Sequence, residues 1–272
     1  MRNMRGFTLI ELIIVIIILA IVAGFSFQFV GIGARMFTTG AERLQTIEKS
    51  RFAAERVTRE LRNAVPNSIR IRSSDGTQCL EFSPVRTVGT YYDAPIRPQR
   101  SDQMTLVTLS SLSTPWVAEP TDRIFIYATR ANFIYASNAQ RYAVLAESYD
   151  SASASASTPA THILPLVADS RFAQSSPRER AYIGKQPVSF CLQNDGLYRV
   201  ENYGWNQSQT VPPVTLSQSQ LLAERLNMDN SSFLLEPGAS QRNNVINIQL
   251  EFVSRSNESI YYNQKVHIPN AP

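Results

Sequence analysis

Hydrophobic and polar positions divide the chain into two regimes. From Phe7 to Val30 nearly every residue is apolar, and Leu12 to Phe25 is an unbroken run of apolar or small residues. As an α-helix rising about 1.5 Å per residue, this segment would extend about 36 Å, enough to cross a hydrocarbon core of about 30 Å. Downstream the period changes. Leu44, Ile47, Ala54, Val57, Leu61 and Ala64 recur at three- and four-residue steps, interrupted at Arg51, which describes one face of an amphipathic helix. Arg51–Glu55, Glu55–Arg59 and Arg56–Glu60 sit four apart and add small support on exposed faces. Pro66 marks the stop, because the residue before a proline is biased away from helix. The pattern predicts one nearly continuous helix over Phe7–Ala64, about 87 Å long. A free coiled coil would need a longer stripe than this second half carries.

Beyond Pro66 the period falls to two, in short runs separated by Pro, Ser, Asn and Gly. "MTLVTL", "RIFIYAT", "RYAVLA", "PVSFCL" and "GLYRVE" read as strands. "NDG" at Asn194–Gly196 is a hairpin signal, since these residues tolerate positive φ. In "NVINIQLEFV" Ile246, Ile248, Leu250 and Phe252 face one way while Asn247, Gln249 and Glu251 face the other, and "SIYYNQKVHI" should pair with it antiparallel. "SASASAS" at Ser151–Ser157 is low-complexity and has little surface to bury.

Composition and charge narrow the picture. The 272 residues suffice for one large domain or two small ones, and a formal charge of +4 does not demand a nucleic-acid partner. Arg2 and Arg5 precede the apolar run, which fits a cytoplasmic N-terminus. A cleaved secretory signal fits less well, because the run is long, "AGFSFQFVGIG" makes a poor small-residue cleavage site, and no loop separates it from the next helical pattern. Two Cys and two His are too few and too scattered for metal-ligand spacing, and no metal or other cofactor is expected. His162 and His267 read as structural or surface residues. No nucleophile elbow, phosphate-binding loop or acidic calcium loop occurs, so an enzyme is not expected. Cys79 and Cys191 both fall in candidate strands, and in an exported chain they would either close one disulfide or remain as two buried thiols.

One polar residue disturbs the apolar run. Glu11 lies near its start, where a carboxylate is costly without a partner. The stretch Arg5, Gly6, Phe7, Thr8, Leu9, Ile10, Glu11 and Leu12 resembles the class III signal of type IV prepilins and pseudopilins: a short basic leader, a glycine, a hydrophobic residue, and a glutamate five residues after the glycine. The resemblance implies cleavage between Gly6 and Phe7 by a membrane-embedded prepilin peptidase, N-methylation of Phe7, and pairing of Glu11 with the N-terminal amine of a neighbouring subunit during assembly. It also implies an α+β, type IV pilin-like fold, with a long N-terminal helix, transmembrane in its first half, packed on an antiparallel β-rich head. Expected divisions are a leader at 1–6, a membrane or filament-core helix at 7–30, its amphipathic continuation at 31–65, and a periplasmic head at 66–272, one unit or two lobes divided near 151–158. Major pilins usually carry a proline partway along the apolar half. This chain has none there, although Gly24, Gly31, Gly33 and Gly40 could weaken the helix instead.

"YIGKQPVSFCLQNDGLYRVENYG" and the closing "VHIPNAP" further resemble the minor pilins and J-type secretion pseudopilins, and with the chain's size they resemble the minor pilins of the mannose-sensitive haemagglutinin (MSHA) pilus. The implied role is priming or capping pilus assembly, with prepilin peptidase, other minor pilins, the major pilin and the inner-membrane platform as partners. The implied location is the inner membrane, single-pass, and then the pilus tip. The alternatives are a secretion pseudopilin, or a tip adhesin whose Trp116, Trp205 and "YGW" run stack on a glycan; aromatic residues of this kind more often serve a core.

Overall fold

The computed structural model describes residues 8–108, 115–137, 141–153, 160–236 and 244–268. The first element, α1 (Leu9–Arg62), is a single 54-residue helix. It ends at Asn63, whose N–H donates to the carbonyls of Glu60 and Leu61, and Arg59 and Arg62 in the last turn suit the negative end of the helix dipole. The strands that follow are β1 (Arg70–Ser74), β2 (Thr77–Phe82), β3 (Val85–Asp93), β4 (Ser101–Thr108), β5 (Val117–Ala118) and β6 (Arg123–Ile126). A short helix, α2 (Ala131–Tyr135), leads to β7 (Tyr142–Val144), β8 (Tyr149–Asp150), β9 (Ala160–Ser170) and β10 (Arg180–Gly184). The chain finishes with β11 (Val188–Gln193), β12 (Gly196–Val200), β13 (Gln220–Glu224), β14 (Ser232–Glu236), β15 (Asn244–Val253) and β16 (Ser259–Ile268). The result is a type IV pilin-like α+β layout, a long apolar helix followed by an antiparallel β-rich head.

Two large hydrophobic cores organise the described part of the head, with smaller clusters between and beside them. The first is enclosed by the sheet β1-β2-β11-β12-β13, the sheet β14-β15-β16 and the last turns of α1. Ala53, Ala54, Val57 and Leu61 of the helix meet Leu80, Phe82, Phe190, Phe233, Ile248 and Phe252, all of them buried. The alternation read from "NVINIQLEFV" holds, with Ile246, Ile248, Leu250 and Phe252 at 2 % exposure or less, and all ten residues of β15 pair with β16. The hairpin at "NDG" turns on Asn194 and Asp195, both at positive φ, with Gly196 already in β12. The second core belongs to the sheet β7-β6-β10-β3-β4-β9. Its outer strands meet through an antiparallel bridge, Leu145 to Leu166, and the Ala146 N–H to the Pro165 carbonyl at 3.1 Å. The sheet therefore curls until its two outer strands touch, giving a small barrel closed at that one point.

Two expectations are corrected, and the stretch at 151–158 is placed between strands of one sheet. Strands β6 and β7 before that stretch and β9 after it belong to the same barrel, so the chain enters the barrel lobe between β2 and β3 and leaves it between β10 and β11. Beyond Ser153 the low-complexity stretch lies outside the described residues. The packed stripe of α1 starts later than its periodicity suggests: Leu44 is 63 % exposed and Ile47 39 %. Full burial begins at Ser50; before that turn the helix meets the head through side-chain ion pairs, Arg43 with Glu258 and Lys49 with Glu224, and not through packed apolar residues. Finally, "RIFIYAT" stops as a strand at Ile126, since Tyr127 adopts φ 52°, a left-handed conformation that breaks the ladder.

Candidate functional site

The candidate assembly site begins at the first turn of α1. Thr8 caps the helix: its Oγ1 accepts from the Glu11 N–H at 3.4 Å, and its carbonyl accepts from the Leu12 N–H at 3.2 Å. Thr8 and Glu11 thus have the T-x-x-E spacing of a capping box, a signal present in the sequence that identifies Thr8 as the helix start. Glu11 also lies in the first turn, where the helix dipole favours a negative charge. Its side chain is exposed, and among the described residues its carboxylate has no partner. Gly6 and Phe7 lie outside the described residues.

From Leu12 to Ala34 no residue is charged. On every side of the helix these residues point away from protein: Leu12, Ile16, Leu19, Phe25, Phe27 and Phe29 are all exposed. A helix that is apolar all round needs a non-aqueous neighbour, lipid or other apolar helices. The segment meets the length and composition of a membrane span. Among the described residues nothing in the head folds back to cover it, since the first buried residue of α1 is Ser50.

Where α1 docks, side chains fix its angle to the head. Thr58 Oγ1 donates to Gln264 of β16 at 3.0 Å. Glu60 is held by two arginines, Arg56 at 2.9 Å one turn back and Arg199 of β12 at 2.9 Å. Burial opposes the charge of Arg199, but Glu201 and Glu60 outweigh it and raise its pKa. Lys49–Glu224 and Arg43–Glu258 are more exposed pairs farther down the helix, each worth little individually.

Cys79 of β2 and Cys191 of β11 stand directly opposite in register and are joined by a disulfide, S–S 2.01 Å and Cα–Cα 4.1 Å. The segment 201–215 covers it. Tyr203, Val211 and Val214 pack against the cluster of the two cysteines and Val200, Gln209 Nε2 donates to the Cys79 carbonyl, and Arg72 donates to the Gln209 carbonyl. Beside it Glu81, only 1 % exposed, is paired with Arg70 and accepts from the Tyr203 hydroxyl at 2.8 Å. Burial, followed by the charge of Glu81, pushes the Tyr203 phenol well up, so it stays a donor.

The aromatic residues read as possible sugar platforms are used internally. Trp205 donates from Nε1 to the Thr121 carbonyl at 2.8 Å and packs against Phe125 and Tyr135, with the Arg123 guanidinium 4.4 Å from its ring centroid. It therefore ties the first lobe to the barrel. Trp116 is buried against His162 and Tyr149. His162 is 2 % exposed, lies 2.9 Å from Thr108 Oγ1, and burial lowers its pKa. His267 is exposed on β16.

Residues 1–27 match the family model described as the prokaryotic N-terminal methylation motif. Comparison of the whole chain with curated proteins and with solved structures gives no match. The motif, together with the exposed helix that continues from it, supports a prepilin-type N-terminus, as in type IV pilins and pseudopilins.

Proposed function

We propose that this protein is a minor type IV pilin, non-catalytic, that assembles with other minor pilins to prime or cap a pilus. The observation that carries this reading is the conjunction at the N-terminus: the methylation motif runs into a helix that is wholly exposed and apolar for its first half. A prepilin peptidase would cut between Gly6 and Phe7, and the new amine of Phe7 would be methylated. The subunit would wait in the inner membrane, N-terminus cytoplasmic and head periplasmic, until the assembly platform extracts it.

Glu11 then has a physical role. A carboxylate at the centre of a membrane helix costs about 2.5–3.5 kcal/mol on insertion scales and less near the interface. A charged Phe7 amine from a neighbouring subunit offsets that cost, and in a low-dielectric core the attraction is strong enough to set axial register. The head suggests placement. Removing residues 1–6 leaves 266 of 272 residues, most of them in a two-lobed head bulky for a densely repeated thin filament. The tip, with no subunit above it, accommodates such a head best. The MSHA pilus is the system to which the C-terminal stretches point. J-type pseudopilins of type II secretion share the same N-terminal chemistry and are the second reading, favoured by the resemblance over Tyr182–Gly204.

The test is a count of surface pili by electron microscopy in a deletion strain, its complemented strain, and a strain carrying Glu11→Val. Loss of pili on deletion, with Glu11→Val inserted in the membrane but poorly incorporated, is expected. Normal piliation with loss of secreted enzymes would move the protein to the secretion system. Full incorporation of Glu11→Val would remove the role given to Glu11.

A further inference from the structure

The outer face of the sheet β14-β15-β16, turned away from the first core, carries a cleft of about 430 Å³. Strand alternation dictates its lining. Ile248, Leu250 and Phe252 point into the core, so Gln249 and Glu251 point out. Cross-strand register places Ser232 and Asn263 beside Gln249, and Tyr261 beside Glu251. The 3-10 turn Met228–Asn230 borders the cleft, bringing Asp229 and Asn230 to it.

Two properties set this cleft apart from ordinary polar surface. The first is an exposed aromatic ring beside a fixed neighbour. Tyr261 is 69 % exposed and stands directly across from Glu251 in the β15–β16 register. Glu251 is itself 2 % exposed and accepts from Asn230 Nδ2 at 2.6 Å. A ring carried on a paired strand beside a fixed neighbour loses little freedom on stacking, which lowers the cost of binding. The second is unused hydrogen-bonding capacity. Among the described residues the Asp229 carboxylate and the Asn263 amide have no side-chain partners, and Gln249 receives only a 3.5 Å contact from Ser232.

We infer that this cleft binds a neutral sugar, with a pyranose face stacked on Tyr261 and its hydroxyls shared among Asp229, Asn230, Gln249 and Asn263. The chemistry matches group by group. A carboxylate accepts from two hydroxyls, each amide offers both a donor and an acceptor, and the ring takes the apolar C–H face. Among the described residues no basic side chain lines the cleft and one free carboxylate does, so phosphorylated, sulfated or sialylated sugars meet repulsion. A quaternary cation would want several ring faces, whereas one ring amid amides suits a polyol. The site is independent of the assembly role, and it lies apart from Trp116 and Trp205, which the fold consumes.

The test uses the full chain in lipid nanodiscs, purified without glycoside detergents, titrated with neutral hexoses and their oligosaccharides by saturation-transfer NMR. Saturable binding of at least one neutral sugar is expected, weakened about tenfold or more by Tyr261→Ala and by Asn263→Lys, a loss of about 1.4 kcal/mol or more. Both sites are exposed, so melting temperatures should stay near wild type; should Tyr261→Ala unfold, Asn263→Lys decides alone. Sialylated and sulfated counterparts should not bind. Immobilised glycans compared with free hexose then separate a surface-displayed ligand from a dissolved one. Absence of saturable binding, binding untouched by both substitutions, or preference for choline over every neutral sugar would overturn the assignment.

Discussion

Gly184 shows how a single residue holds the two lobes in register. It ends β10 at the point where the chain leaves the barrel, and a Cβ there would lie 2.5 Å from Ser83 Oγ, 2.8 Å from Phe125 and 2.9 Å from Val65. Two of those neighbours are buried core side chains with no room to retreat. Gly184→Ala should therefore cost about 1–3 kcal/mol, read as a lower denaturant midpoint with an unchanged slope. His162 makes a pH-dependent contribution. Its pKa is lowered from 6.5 by burial, so the unfolded chain protonates first as pH falls. Stability linked to this imidazole is intact above about pH 6.5 and is lost progressively below it, until the lowered folded pKa is passed. The drop in melting temperature between pH 7.5 and pH 5.5 should be smaller in His162→Gln than in the parent. An equal drop in both would mean that other groups carry the acid response.

At the scale of elements, α1 is one helix in two environments. Its first half has no protein neighbour and its last turns form part of a core, so identical chemistry should have opposite consequences along it. Leu61→Ala removes a fully buried side chain and should cost about 2–5 kcal/mol. Leu44→Ala, at an exposed position on the same helix, should change stability by less than about 0.5 kcal/mol in the isolated protein. Thermal melts of both variants check this, and similar losses would mean that the Leu44 side chain is itself packed in the folded protein. The strands show where local pattern suffices. β11, β12, β15 and β16 alternate cleanly or bracket a two-residue turn, and each is legible in the sequence. β3 is harder to read, because Gly89 sits in its middle where the β4 backbone approaches, with a Cβ placed 2.5 Å from the Val107 carbonyl oxygen. Glycine reads locally as a breaker, and only the neighbouring strand explains it.

At the scale of the molecule, a further buried cluster joins the two cores: Val65, Phe125, Ala128, Ile134 and Tyr135 pack together, with Trp205 against them. Trp205 reaches the barrel, Tyr135 donates to the Ser68 carbonyl at 2.7 Å, and Asn67 donates to the Ala128 carbonyl at 3.2 Å. The disulfide closes a loop of 112 residues that contains the entire barrel. In the chain-entropy model such closure is worth up to about 4–5 kcal/mol. The double substitution Cys79→Ala/Cys191→Ala should lower the unfolding free energy by an amount up to that figure, measured by denaturant titration of the full chain in micelles. No change in midpoint would mean that the barrel's own core already restrains the loop in the unfolded ensemble.

The sequence by itself determined the features that depend on near neighbours along the chain. An uncharged run and a glutamate at fixed spacing suffice to specify a helix long and apolar enough to span a membrane, continuous with an N-terminal methylation motif, because both are features of local order. Alternation did the same for the long strands of the C-terminal sheet. Tertiary structure decided what depends on residues far apart. Closure of the barrel rests on Leu145 meeting Leu166; the joining of Cys79 to Cys191 rests on β2 and β11 being sheet neighbours across an inserted lobe. Trp205 became a clamp instead of a surface, and Tyr261 remained exposed, through contacts no window of sequence contains. The physical reason is common to all of these: local propensity sets the direction of each side chain, but burial is set by whichever element the chain later lays against it.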